Sequence, residues 1–307
     1  MSISVLYDVP GPKTRRRSLI ASVIGVVVIV GFFFWMYFTL AAPRVNPASG
    51  VVTPGTFDIS RWDILANPEV WLGFGRATLN TLRMAAAAAV LAILIGILFS
   101  FGRTSRYAWV RVPVSILLEF IRGIPLLLMI FFVFLVFVAG SYWSGVLGLA
   151  LYNGAIIGEA LRAGVKSLPK GQREAGLAVG LTPLKAWYLV EFPQAFRQML
   201  PIILAQLVVL LKDTSLAYIV SYPELARTIG DDRNFFGSRY IFTLFLVGLL
   251  IYLALNLTLS WVARYVARRS GPKLGKVTPN QPMPTGGDGT RAITLPRKNY
   301  GPPDPPR

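Results

Sequence analysis

Cysteine and histidine are both missing from this chain of 307 residues. Without cysteine there are no disulfides and no thiolate nucleophile, and without either residue ordinary zinc sites and imidazole bases are excluded. Catalysis by side chains is therefore not expected. Charge is also scarce: Asp, Glu, Lys and Arg together make up 15% of the residues, whereas 54% are hydrophobic and the mean hydropathy is +0.57. That balance is too apolar for an ordinary soluble domain and places the chain in a bilayer. Acidic residues are the scarcest charged class, 14 against 31 basic ones, for a formal charge of +17. In a soluble protein such an excess points to nucleic acid; in a membrane protein it is first tested against loop topology.

Apolar runs near 18–41, 77–101, 112–139, 143–163, 199–220 and 239–263 are each close to the roughly 20 residues a transmembrane helix needs. An all-α bundle of six spans is predicted. The first run follows Lys13, Arg15, Arg16 and Arg17 and ends near Ala41-Ala42-Pro43, so a cleaved signal peptide is the alternative. Its apolar stretch, Leu19 to Leu40, exceeds the roughly 7–15 residues of a signal core, which favours an uncleaved span.

With both termini cytoplasmic, the inner segments carry Arg15 to Arg17, then Arg103, Arg106 and Arg111, then Arg162, Lys166, Lys170, Arg173, Lys185 and Arg197, then Arg264, Arg268, Arg269, Lys273 and Lys276. The outer loops are nearly balanced: Arg44 and Arg61 against Asp58, Asp63 and Glu69, then Arg227 and Arg233 against Glu224, Asp231 and Asp232. The positive charge is thus mostly topological, helped by anionic lipid, and calls for no nucleic acid partner.

Residues 1–17 read as a basic cytoplasmic N-terminus, 18–42 as a first helix outside the core, and 43–75 as an outer connector with a short interfacial helix carrying Trp62 and Trp71. Residues 76–265 form the core, and 266–307, rich in Pro, Gly, Lys and Arg, read as a disordered cytoplasmic tail. In that tail Gly275-Lys276-Val277-Thr278 glances at a phosphate-binding loop, but Gly271 is one residue too close to complete the pattern and no strand precedes it.

The stretch 166–198 is a polar, basic-flanked interlude between apolar runs. Lys170-Gly171-Gln172 opens a short helix through Val179, and Gly180 suits its end. Thr182 is an N-cap and Pro183 the first residue of a second helix, 183–191. Two short helices joined at a glycine make a compact knob that can fill a cleft on a soluble partner and pass on its motion.

This stretch resembles the E-A-A-x3-G-x9-I-x-L-P coupling loop of binding-protein-dependent ABC importer permeases. Glu174, Ala175 and Gly180 match outright, Gly176 stands for the second Ala, Val190 for Ile, and Phe192-Pro193 for Leu-Pro. Glu119-Phe120-Ile121-Arg122-Gly123-Ile124-Pro125-Leu126-Leu127 and Leu211-Lys212-Asp213-Thr214-Ser215-Leu216 resemble the two signatures of the polar amino acid branch, over roughly 73–265. The first span and the tail lie outside, a layout similar to glutamate permeases.

The resemblance implies a five-helix type I importer core plus one N-terminal helix in a bacterial plasma membrane. It implies two membrane subunits, two ATP-binding subunits and an extracytoplasmic amino-acid-binding protein. No cofactor is expected on this chain, ATP and magnesium belonging to the ATPases. A related chain is favoured over an identical copy as the second membrane subunit. Glutamate is the first-choice solute, with aspartate, glutamine and basic amino acids behind it. The rivals are a secondary transporter driven by an ion gradient, which predicts inverted repeats, and a scaffold that transports nothing.

Glu174, Ala175, Gly176, Gly180 and Pro193 are the expected ATPase-coupling residues. Lys212 and Asp213 lie about 13 residues into the fifth run, roughly 20 Å along a helix. Charges at such depth line a solute path or pair between helices. An ammonium and a carboxylate on the solute match an Asp and a Lys, with Thr214 and Ser215 as hydroxyl donors; but neighbours in sequence point about 100° apart on a helix, which keeps a structural pair open. Glu119 and Arg122 share one face and can pair, and Gly123 and Pro125 interrupt the third span as a kink, a gate or path lining. Glu159 and Arg162 read as a pair tying the loop to the bundle, and Ala85 to Ala89, after Arg83, as close packing at a subunit interface.

Overall fold

The computed structural model describes residues 11–45, 50 and 52–270. Of the predicted disordered tail, residues 266–270 instead continue the last helix, because its apolar run carries helical backbone on to Ser270; residues 271–307 and 1–10 lie outside the described residues. Ten α-helices are found among the described residues: α1 (Pro12–Ala41), α2 (Pro68–Thr104), α3 (Ala108–Gly123), α4 (Leu126–Phe137), α5 (Gly140–Ser167), α6 (Lys170–Ala178), α7 (Pro183–Ala186), α8 (Phe192–Asp213), α9 (Leu225–Phe236) and α10 (Ile241–Ser270). Five helices are long and apolar enough to cross a membrane, and six when α3 and α4 count as one broken span.

That break is sharper than a kink: α3 and α4 are bent through 108°. Pro125 disfavours helical backbone in the residue before it, and Ile124 is extended at φ −86°, ψ 128°. Gly123 keeps helical geometry with open space around its Cα, so the proline makes the break.

α5 is the hub, packed against α2, α4 and α8. Glycines let it approach α2 closely: a Cβ on Gly154 would lie 2.8 Å from Ile95, and one on Gly96 2.7 Å from Ile157. Met84, Ala88 and Ala92 of α2 are buried with Leu149, Ile157 and Leu161 of α5 and Leu210 and Leu211 of α8. Asn153, fully buried, accepts a hydrogen bond from Gln206 at 2.8 Å and joins α5 to α8. Of the alanine run, Ala85 and Ala88 face this internal core, while Ala86 is exposed; the run packs largely within the subunit.

The connector carries an antiparallel pair of two-residue strands, β1 (Arg44–Val45) and β2 (Val52–Thr53), then two 3₁₀ turns. These turns, Ile59–Arg61 and Asp63–Ala66, flank Trp62, whereas Trp71 lies in the first turns of α2. Asp58 caps the first by accepting from the Ser60 hydroxyl and amide, which holds its carboxyl below its ordinary value. The connector also anchors the end of α1: Thr56 donates to the Leu40 carbonyl at 2.8 Å, Tyr37 stacks on Phe57, and Phe57 meets Phe242 of α10 edge-on. Gly55 is required there, because a Cβ would come within 1.9 Å of the Ala41 carbonyl oxygen. No residue in the apolar window of α1 is buried.

Candidate functional site: the helical hairpin

α6 ends as its sequence dictates. Gly180 adopts φ +84°, its amide donates to the Leu177 carbonyl, and the Leu181 amide reaches back to the Gly176 carbonyl at 3.1 Å, a Schellman closure. Thr182 caps α7, accepting from the Lys185 amide, and Pro183 follows at the first helical position. The expected second helix, 183–191, does not stop at 191. It runs on without interruption, so that Pro183–Val220 is one helical span. Pro193 lacks the amide proton that would bond one turn back, and the ladder widens just before it: Trp187–Glu191 is a π-turn, closed by the Phe192 amide on the Trp187 carbonyl.

The hairpin has a packed inside and a free outside. Gly176 is buried, and a Cβ there would touch Ala186 at 3.4 Å and Val190 at 3.6 Å. Glu174, Ala175, Gly180 and Pro193 are exposed. Gln194 of α8 donates to Gln172 of α6 at 3.2 Å, and buried Glu191 lies 4.0 Å from Arg173. Trp187, 8% exposed, stacks on Phe192 and meets Phe101 at the end of α2 edge-on. The hairpin is thus fixed to α8 by continuous helix and to α2 by one aromatic contact. Trp187 was not singled out by sequence pattern; its position in a polar loop, where a large apolar ring needs cover, was the signal.

Above the hairpin, charges form a connected lattice. Glu159 receives hydrogen bonds from Arg103 at 2.5 Å and Arg162 at 2.9 Å. Glu119 lies 3.4 Å from Arg103 and 3.5 Å from Arg122. The predicted pairs Glu159–Arg162 and Glu119–Arg122 both form, but the hub is Arg103, which the sequence offered only as a loop charge. It ties α2 to α3 and α5, rather than the loop to the bundle.

Lys212 and Asp213 are the last residues of α8, where it tightens into the 3₁₀ turn Thr214–Val220. Counted from Phe192, Lys212 lies roughly 30 Å along the helix, farther than the 20 Å expected, because the span begins earlier. Ala217 of the turn packs at Gly145, near the start of α5, so the junction falls towards the end of the bundle opposite the hairpin. Lys212 is exposed and Asp213 partly buried, and neither has an ion pair among the described residues. Thr214 is fully buried and its hydroxyl donates to the Leu211 carbonyl; that of Ser215 donates to the Lys212 carbonyl. Both hydroxyl protons are therefore spent on the helix rather than offered to a solute.

Sequence comparison places the class. Residues 78–271 match the family described as the binding-protein-dependent transport system inner membrane component, and the chain belongs to that family. Within it, the chain is 32% identical over 224 residues to a glutamate transport system permease protein of Corynebacterium glutamicum, covering 70% of this chain and 81% of the relative. It is 37% identical over 207 residues to a probable glutamine ABC transporter permease protein of Bacillus subtilis, covering 64% and 90%. Among solved structures it resembles a chain of an amino acid ABC transporter crystallised with histidines (TM-score 0.60, 25% identity, 67% of this chain and 98% of that one). A methionine ABC transporter in an inward-facing form shares the fold at TM-score 0.57 and 18% identity, over 66% of this chain and 99% of that one.

Proposed function

We propose that this chain is the membrane subunit of an ATP-driven importer of a polar amino acid, glutamate in the first instance. The observation that carries the reading is the hairpin: a rigid knob whose exposed face bears Glu174, Ala175 and Gly180 and whose second limb is the start of a spanning helix. Docked in a cleft of a separate ATPase at the cytoplasmic face, such a knob moves α8 as a lever. ATP and magnesium are bound by that ATPase, two copies of which serve two membrane subunits, and an extracytoplasmic binding protein delivers the solute. The relatives named for glutamate and glutamine transport support the solute class.

Lys212 and Asp213 form the charged part of the solute path. A charged group in a bilayer is costly without a partner, and these two have none within the described chain, which fits a path completed by the second membrane subunit. Thr214 and Ser215 hold the helix end that presents them. Glu119 and Arg122, with the break at Gly123-Ile124-Pro125, form the gate side of the path. Reconstituting the complex in vesicles tests the reading: uptake of radiolabelled glutamate is expected to require ATP, the ATPase and the binding protein together. Uptake of glutamate by this chain alone, driven by an ion gradient, contradicts it.

A further inference from the structure

Beside the hairpin lies a cavity of about 600 Å³ between the α2–α3 turn, the end of α5 and α6. Five cationic side chains line it against two carboxylates, Glu174 and Glu191. Arg103 is engaged with Glu159, and Arg173 faces Glu191. Arg111, Lys166 and Lys170 have no ion pair among the described residues and all three are exposed. A second cavity of about 450 Å³ shares Thr104, Ser105, Arg173 and Glu191 with the first and is mostly apolar, lined by Tyr107, Trp109, Leu184 and Trp187. Trp109 is 76% exposed, and tryptophan and tyrosine in such a position mark the headgroup level of a membrane. A basic hollow joined to an apolar one at that level matches an amphiphilic anion: phosphate in the first, glycerol and the upper acyl chain in the second.

We infer that this pair of cavities binds the headgroup of an anionic phospholipid from the cytoplasmic leaflet, with Arg111, Lys166 and Lys170 holding its phosphate. The inference rests on the cytoplasmic placement of the hairpin proposed above. Because Glu174 lines the same cavity, the bound lipid would lie against the surface that meets the ATPase.

The test uses the whole transporter, with its ATPase, in nanodiscs of phosphatidylcholine alone or mixed with phosphatidylglycerol. Phosphatidylglycerol kept through detergent extraction is counted by native mass spectrometry. Wild type is expected to retain it. Arg111→Gln should weaken retention roughly fivefold, the equivalent of about 1 kcal/mol for one cation at an anionic surface, and Arg111→Gln/Lys166→Gln/Lys170→Gln should remove it. Arg197→Gln, a cytoplasmic charge outside the cavity, should leave it unchanged; an equal loss there would mean bulk surface charge and overturn the inference. Displacement of the lipid by sodium phosphate would assign the site to free phosphate instead. Retention by the triple variant together with loss of the ATPase subunit would assign the cations to the ATPase contact. ATP-driven uptake measured in the same nanodisc components, returned to vesicles, separates failure of this site from failure of the transport reading.

Discussion

At its hairpin end α8 is embedded in partners: a π-turn joins it to α7, Trp187 lies between Phe101 and Phe192, and Gln194 bonds to Gln172. At its other end Lys212 and Asp213 stand without an ion pair among the described residues, on a helix whose neighbouring hydroxyls are already bonded. One helix thus has charges without ion pairs at one end, although Leu210 and Leu211 beside them are buried in the core, and polar and aromatic ties to the hairpin at the other. The proposed lever would have that arrangement: on that reading force enters where the contacts are rigid, and the charges offered to the solute are ones without an ion pair among the described residues. The charge lattice of Arg103, Glu119, Glu159 and Arg162 makes the contrast plainer, since there the charges are paired and serve the bundle.

The comparison can be broken at either end. The largest effect is expected at the hairpin: Glu174→Lys or Gly180→Arg should abolish ATP-driven uptake while the protein remains in the membrane at normal abundance, judged by uptake assay and immunoblot. Gly180→Arg adds strain, because a non-glycine residue at φ +84° costs about 1–2 kcal/mol. Next comes the opposite end. Asp213→Asn and Lys212→Gln should each lower uptake by about tenfold or more, the loss from roughly 1.4 kcal/mol of solute or transition-state binding. Neither should lower the thermal midpoint, since neither loses an ion pair among the described residues; a large fall in the midpoint would make the pair structural.

Glu159→Gln should do the reverse. It breaks contacts to Arg103 and Arg162 and is expected to cost about 2 kcal/mol, below the range for a fully buried pair because the Glu159 side chain keeps 27% exposure. The readout is a lower midpoint in detergent with the transport rate per folded molecule little changed. The smallest effect is predicted for Gly176→Ala. Alanine favours the helix by up to about 1 kcal/mol, and the new Cβ meets Ala186 at a tolerable 3.4 Å, so the midpoint should rise slightly and uptake should persist.

Much of this arrangement is written in local sequence. The hairpin was legible because a glycine that must take φ > 0, a capping threonine and a proline at the first helical position are short-range instructions. The six apolar runs were legible for the same reason. What could not be read was set by distant residues. The second limb was expected to end at Glu191, yet the chain stays helical past Pro193 through a π-turn closed by the Phe192 amide on the carbonyl of Trp187, whose ring packs on Phe101 in α2. Arg103 looked like any loop cation until α5 brought Glu159 beside it. Hydropathy also misjudged importance: α1 is strongly apolar from Leu19 to Leu40 yet has no buried residue in its apolar window, whereas α5, interrupted by Gly, Asn and Glu, is the most buried span. Composition reports what tolerates lipid, and packing depends on which small residues let helices meet.

The most direct measurement of the central claim is solute accumulation in vesicles holding either the whole complex or this chain alone. Uptake only with the ATPase and ATP present, and its loss in Glu174→Lys, is the predicted result. Accumulation by the chain alone under an ion gradient, or full ATP-driven uptake by Glu174→Lys, would contradict it.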